Sequence, residues 1–93
     1  MKKRKTLEQV LKALGDPVRL SVVRQLLQAE GLEKACGTFE YDVTKATFSH
    51  HLKILADAGI TQSRQEGTRK LTSLKRRELD EAYPGLLELL ART

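Results

Sequence analysis

Scarcity narrows the field before any motif does. The 93-residue chain has one cysteine, no tryptophan, two prolines and only four aromatic residues, two Tyr and two Phe. A single cysteine, Cys36, excludes an internal disulfide and agrees with a reducing compartment. So few rings supply no stacking platform for single-stranded nucleic acid. No apolar run approaches the roughly 20 residues needed to span a bilayer. The basic start is not followed by a signal-type apolar segment, so the expected location is cytoplasmic, with no membrane partner. Repeats, low-complexity tracts and flexible linkers are also missing, and Gly and Pro stand singly at joints. A chain of this length is expected to be one domain, 1–93, with a modest core and good reason to pair with a second copy.

What is abundant is positive charge. There are 17 Lys and Arg against 12 Asp and Glu, a net charge of +5 and a pI near 9.6. That balance suits a polyanion, and the positions sharpen it: basic residues gather at Lys2–Lys5, at Lys45 and Lys53, at Arg64–Lys70 and at Lys75–Arg77. Residues 1–5 form a basic arm that either touches phosphate or aids solubility.

The most informative stretch runs from Val43 to Leu74. Thr44 is a favoured N-cap, and Phe48, Leu52 and Leu55 recur at steps of four and three, which predicts a helix over about Lys45–Ala58 stopped by Gly59. Its polar face carries Lys45, Thr47, Ser49, His50 and Lys53, donors suited to base edges and phosphates in a major groove. Segment 44–59 is therefore the candidate recognition helix. Beyond Gly59 the pattern becomes extended: Ile60–Gln65, a turn at Glu66-Gly67-Thr68, then Arg69–Leu74, a hairpin whose tip gathers Arg64, Arg69 and Lys70. A basic hairpin over 60–74 beside such a helix is a wing; the plainer alternative, taken alone, is a solvated hairpin whose charges protect an exposed edge.

The remaining segments frame this device. Thr6 with Gln9 makes a capping-box pattern ahead of Leu7, Val10, Leu11 and Leu14, a first helix that ends at Gly15. Asp16 and Pro17 restart the chain as N-cap and first helical residue, with Leu20, Val23, Leu26 and Leu27 facing inward as far as about Ala29. Gly31–Val43 lacks a clean period; it predicts a shortened third helix near Leu32–Cys36, then a turn, with Phe39 or Tyr41 plugging the core. Arg76–Ala82 predicts a helical turn or two. Pro84 then opens a last helix, 84–92, whose Leu86, Leu87, Leu89 and Leu90 exceed what a terminal segment needs. Self-association through Leu7, Val10, Leu11, Leu86, Leu87 and Leu90 is the simplest cover.

Three blocks in this order, Lys12-Ala13-Leu14-Gly15-Asp16-Pro17-Val18-Arg19-Leu20, then Ser49-His50-His51-Leu52-Lys53-Ile54-Leu55 with Ala58-Gly59-Ile60, then Glu66-Gly67-Thr68-Arg69, closely resemble the ArsR family of bacterial winged-helix repressors. The resemblance spans nearly the whole chain. It implies a mainly α fold with a small β-hairpin, a winged helix-turn-helix dimerising through its first and last helices. It also implies one reader helix per half-site of an inverted-repeat operator in double-stranded DNA. Lys45, Thr47, Ser49, His50 and Lys53 fall where such proteins contact DNA, and Arg64, Arg69 and Lys70 fall on the wing. Members with metal sites carry close cysteine pairs in the third helix, or carboxylate and histidine ligands in the last. This chain has neither set and is similar to a branch without them, so no metal or cofactor is implied.

Other chemistries fare worse. Adjacent His50 and His51 on a helix point about 100° apart and do not readily serve one ion together with Cys36. Periodicity makes His50 the outward ring and His51 the structural one. A Cys and His pair also lacks an orienting third group, a closed pocket and an oxyanion site, so the chain is not read as an enzyme. A protein-docking winged helix remains the alternative class. For regulation, a repressor governed by its own concentration stands beside one that senses through Cys36, against the plain reading of an inert, buried thiol.

Overall fold

The computed structural model describes residues 6–93. The basic arm, residues 1–5, lies outside them. In chain order the elements are α1 (Leu7–Leu14), α2 (Pro17–Gln28), β1 (Glu33–Ala35), α3 (Lys45–Asp57), β2 (Thr61–Glu66), β3 (Arg69–Leu74), α4 (Arg76–Ala82) and α5 (Leu86–Arg92). Short 3-10 turns at Glu30–Leu32 and Cys36–Thr38 flank β1.

The first two helices begin where their caps dictate. The Gln9 amide donates to the Thr6 hydroxyl at 3.3 Å and the Thr6 amide to Gln9 Oε1 at 3.0 Å, a reciprocal capping box. Asp16 Oδ2 accepts from the amides of Val18 and Arg19, with Pro17 in the first turn where its missing N–H costs nothing. α2 is the axis of the core: Val22, Val23 and Leu26 have no exposed surface. Around them pack Val10 and Ala13 of α1, Phe48 and Leu55 of α3, Ile60 before β2, Leu74 of β3, Leu79 of α4 and Leu87 of α5. Truncating Leu26 to Ala there would cost on the order of 2–5 kcal/mol.

Two expectations are corrected by this packing. In place of a third helix near Leu32–Cys36, Glu33–Ala35 is a strand paired antiparallel to β3, with Glu33 opposite Ser73 and Ala35 opposite Leu71. Gly31 and Leu32 both have positive φ, 70° and 56°, which breaks any helix across them and turns the chain onto the free edge of β3. The hairpin thereby becomes the larger part of a three-stranded sheet, order β1-β3-β2. The last helix opens at Leu86 rather than Pro84, because Gly85 takes φ 88° as its N-cap.

The apolar residues at the two ends divide. Val10 and Leu87, expected on a self-association face, are buried within the chain, because each points at α2 and helps close the core. Leu7, Leu11 and Leu89 are exposed, while Leu86 and Leu90 are half-buried. An eight-residue helix with apolar residues on two sides feeds the core with one side and offers the other outward. No helix among the described residues is long and apolar enough to cross a membrane.

Candidate nucleic-acid interface

α3 is set by its two ends and by its floor. Thr44 Oγ1 accepts from the Thr47 amide at 3.1 Å and donates to the Thr47 hydroxyl at 2.9 Å, so Thr47 forms part of the N-terminal cap. At the other end Gly59, φ 78°, lets its amide reach the Ala56 carbonyl at 3.0 Å and the Ile60 amide reach that of Leu55 at 3.1 Å, closing the helix. Beneath it Phe48 is buried against Phe39, and Tyr41 stacks on its ring at 3.8 Å between centroids and 6° between planes. Of the two candidates for a core plug, Phe39 fills the core and Tyr41 stays exposed.

The inward side of α3 meets a polar hub. Arg19 Nε donates to the Ala13 carbonyl at 2.6 Å and Nη1 reaches His51 Nδ1 at 3.0 Å. A guanidinium only donates, so at this contact the His51 Nδ1 is the acceptor. Asp16 lies 3.7 Å from the same nitrogen. Burial opposes ionisation of Asp16, but the amides of Arg19 and Val18 and the nearby Arg19 charge outweigh it and hold the carboxyl below its ordinary value. One residue, Arg19, thus ties the end of α1 to α3. The Asp16-Pro17-Val18-Arg19 block carried that signal in the sequence. The His50 ring, 6.4 Å from that of His51, is outward.

A broad groove separates α3 from the sheet. Lys45, Ser49 and Lys53 line it from the helix and Arg69 and Lys70 from the wing, above a floor that includes Leu52, Ala56 and Tyr41. Thr47, His50 and Arg64 stand outside that lining. Five of the eight residues expected to contact DNA are therefore gathered from two elements onto one concave surface. Cys36 is also at this groove, half-buried, its Sγ 3.4 Å from Thr72 Oγ1, which is in turn 3.1 Å from Ser63 Oγ. Among the described residues no group of three or more His, Cys, Asp and Glu is placed to hold a metal ion.

The basic residues are not equivalent. Lys53 is paired with Asp57 at 2.9 Å, one turn along. Arg64, expected to hold phosphate, has its guanidinium taken by two carboxylates. Nε and Nη2 donate to Glu33 of β1 at 3.1 and 3.0 Å, and Nη1 donates to Glu66 at 2.9 Å. Those hydrogen bonds, Glu33 foremost, push its pKa further up. Glu66 also accepts from Arg69 at 3.3 Å. Lys45 and Lys70 make no ion pair among the described residues. Glu33 and Glu66 as partners of the wing arginines were missed by sequence reasoning: Glu33 lies 31 residues from Arg64 and meets it only across β3, whereas Glu66, two residues from Arg64 and three from Arg69, was near enough in the sequence to be found.

A helical corner, the Thr44-capped helix α3 and a β-hairpin beside it define a winged helix-turn-helix, the architecture of DNA-binding regulators and not of enzymes. Residues 14–64, just over half the chain, match a family model described as a helix-turn-helix domain. Over 81 residues the chain is 38% identical to the arsenical resistance operon repressor of Bacillus subtilis, covering 86% of this chain and 72% of that protein. It is also 37% identical over 84 residues to the HTH-type transcriptional regulator YceK of the same organism, covering 88% and 83%. Among solved structures it resembles the transcriptional repressor BigR from Xylella fastidiosa, with TM-score 0.68 at 25% identity over 89% of this chain and 84% of that one. It likewise resembles the homodimeric winged helix-turn-helix domain of Mb0332 from Mycobacterium bovis, a possible ArsR-family regulator, with TM-score 0.70 at 25% identity over 92% and 78%. The chain belongs to the ArsR family of helix-turn-helix transcriptional regulators.

Proposed function

We propose that this protein is a cytoplasmic transcriptional repressor that binds an inverted-repeat operator in double-stranded DNA as a homodimer. The observation that carries the reading is the shared groove, in which Lys45, Ser49 and Lys53 of α3 face Arg69 and Lys70 of the wing. A helix and a basic hairpin that converge in this way suit a major groove and the adjacent backbone. Ser49 and His50, with Thr47 at the first turn, read base edges; Lys45, Lys53, Arg69 and Lys70 hold phosphates, and the wing follows groove width. Arg64, committed to Glu33, braces the wing.

The dimer draws on Leu7 and Leu11 of α1 with Leu86, Leu89 and Leu90 of α5, the outward part of the terminal apolar surface. Each fully buried Leu contributes roughly 1.5–3 kcal/mol, enough for a few to hold two small chains together. Two copies of α3 then enter successive major grooves about 34 Å apart. The homodimeric Mb0332 domain supports this assembly by analogy.

Selection from a random duplex pool, followed by titration of the recovered site at several salt concentrations, tests the reading. An inverted repeat bound far more tightly than random duplex, by a species sedimenting as a dimer, is expected. Ser49→Ala or His50→Ala should cost on the order of 1–3 kcal/mol at particular base pairs and leave non-specific binding almost unchanged. Equal affinity for every duplex, or a monomer at micromolar concentration, overturns it.

A further inference from the structure

The wing tip holds acid where a phosphate-binding surface wants none. Glu66 is exposed at the end of β2, opposite Arg69 in the ladder, and its carboxylate is shared between Arg64 and Arg69 at 2.9 and 3.3 Å. The two arginines are held unequally. Arg64 has a second, bidentate partner in Glu33 and stands outside the groove. Among the described residues Arg69 has Glu66 alone, by the longer contact, and it lines the groove beside Lys70, which has no anionic partner among them.

We propose, resting on the DNA-binding reading above, that Glu66 is a tethered competitor for the DNA backbone. On binding, Arg69 exchanges the Glu66 carboxylate for a phosphate oxygen, while Arg64 stays with Glu33 and keeps the hairpin in place. A carboxylate and a phosphate oxygen offer a guanidinium the same kind of charge-assisted acceptor, so the exchange needs a side-chain rotation and no change of backbone. Hydrogen bonds from Arg64, then Arg69, keep Glu66 ionised well below neutral pH, so the competitor is present throughout the physiological range. Its effect is to restrain a non-specific contact, leaving a larger share of affinity to α3, whose contacts carry sequence information.

The test is a double-mutant cycle of Glu66→Gln and Arg69→Ala in the full chain, titrated with operator and random duplexes across a salt series. Glu66→Gln should tighten both duplexes by about threefold at low salt and steepen the salt dependence by about one unit. On the Arg69→Ala background most of that gain should vanish. Both residues are exposed, and matching unfolding curves exclude a folding defect. Unchanged or weaker binding by Glu66→Gln overturns the proposal, and so does an equal gain with and without Arg69, which would make Glu66 a plain source of repulsion. A wild-type chain that binds no duplex at all would instead remove the DNA-binding reading beneath it.

Discussion

Two charged clusters in this protein use the same groups and do opposite work. At the α1–α2 corner, Asp16, Arg19 and His51 join three helices, and the His51 and Asp16 side chains are 13% and 28% exposed. At the wing tip, Arg64, Glu66 and Arg69 join two strands at a hairpin end, with Arg64 and Glu66 at 55% and 53%. A half-withdrawn hydrogen bond cannot be replaced by water when it is cut, whereas an exposed ion pair is screened and exchanges readily. The corner therefore holds shape. The wing can only modulate what the shape meets.

The sharpest way to break this contrast is Arg19→Ala, which strands the Ala13 carbonyl and His51 Nδ1 together. It should lower unfolding free energy in urea by about 2–3 kcal/mol. The loss should show equally without DNA. Next is Asp16→Asn, which keeps a capping oxygen but removes the negative charge at the helix N-terminus, and is expected to cost about 0.3–1 kcal/mol. Because the folded carboxyl titrates below its unfolded value, its contribution is fully present above about pH 4 and is lost as pH falls through the folded value. Urea titrations at pH 7 and at pH 3 should find the wild-type advantage at the first and much of it gone at the second.

On the wing, Lys70→Ala should leave stability untouched, weaken all duplexes similarly and reduce the salt slope by about one unit. Smallest of all is Arg64→Ala, which should leave the salt slope almost unchanged, since its charge is already answered by Glu33 and Glu66, and should cost the hairpin no more than exposed ion pairs are worth, about 0.2–1 kcal/mol in urea. A slope change matching that of Lys70→Ala would return Arg64 to the phosphate contacts.

The two clusters also differ in how far they can be read from sequence. Asp16 and Arg19 are three residues apart and their roles follow from local rules: a cap, a proline, a first turn. The α3 cap and its polar face were legible for the same reason, as was the division of His50 from His51. The pairing of Arg64 with Glu33 was not legible, because Glu33 is brought near by β1, a strand of three residues, too short to display alternation. Val10 and Leu87 were grouped with their outward neighbours because periodicity marks a residue as apolar without saying which of two apolar surfaces it serves. Val22 was overlooked beside Val23, although both are buried, since α2 is surrounded on more than one side.

The stack of Tyr41 on Phe48 gives the protein an optical handle of its own. With no tryptophan and only two tyrosines in the chain, near-ultraviolet dichroism is carried by very few rings, and one of them lies almost parallel to a phenylalanine of α3. Its band reports whether the segment ahead of α3 is docked, separately from the far-ultraviolet signal that counts helical residues. Formation of the helices and seating of that segment can thus be timed separately in one unlabelled sample, with Tyr41→Phe as the blank.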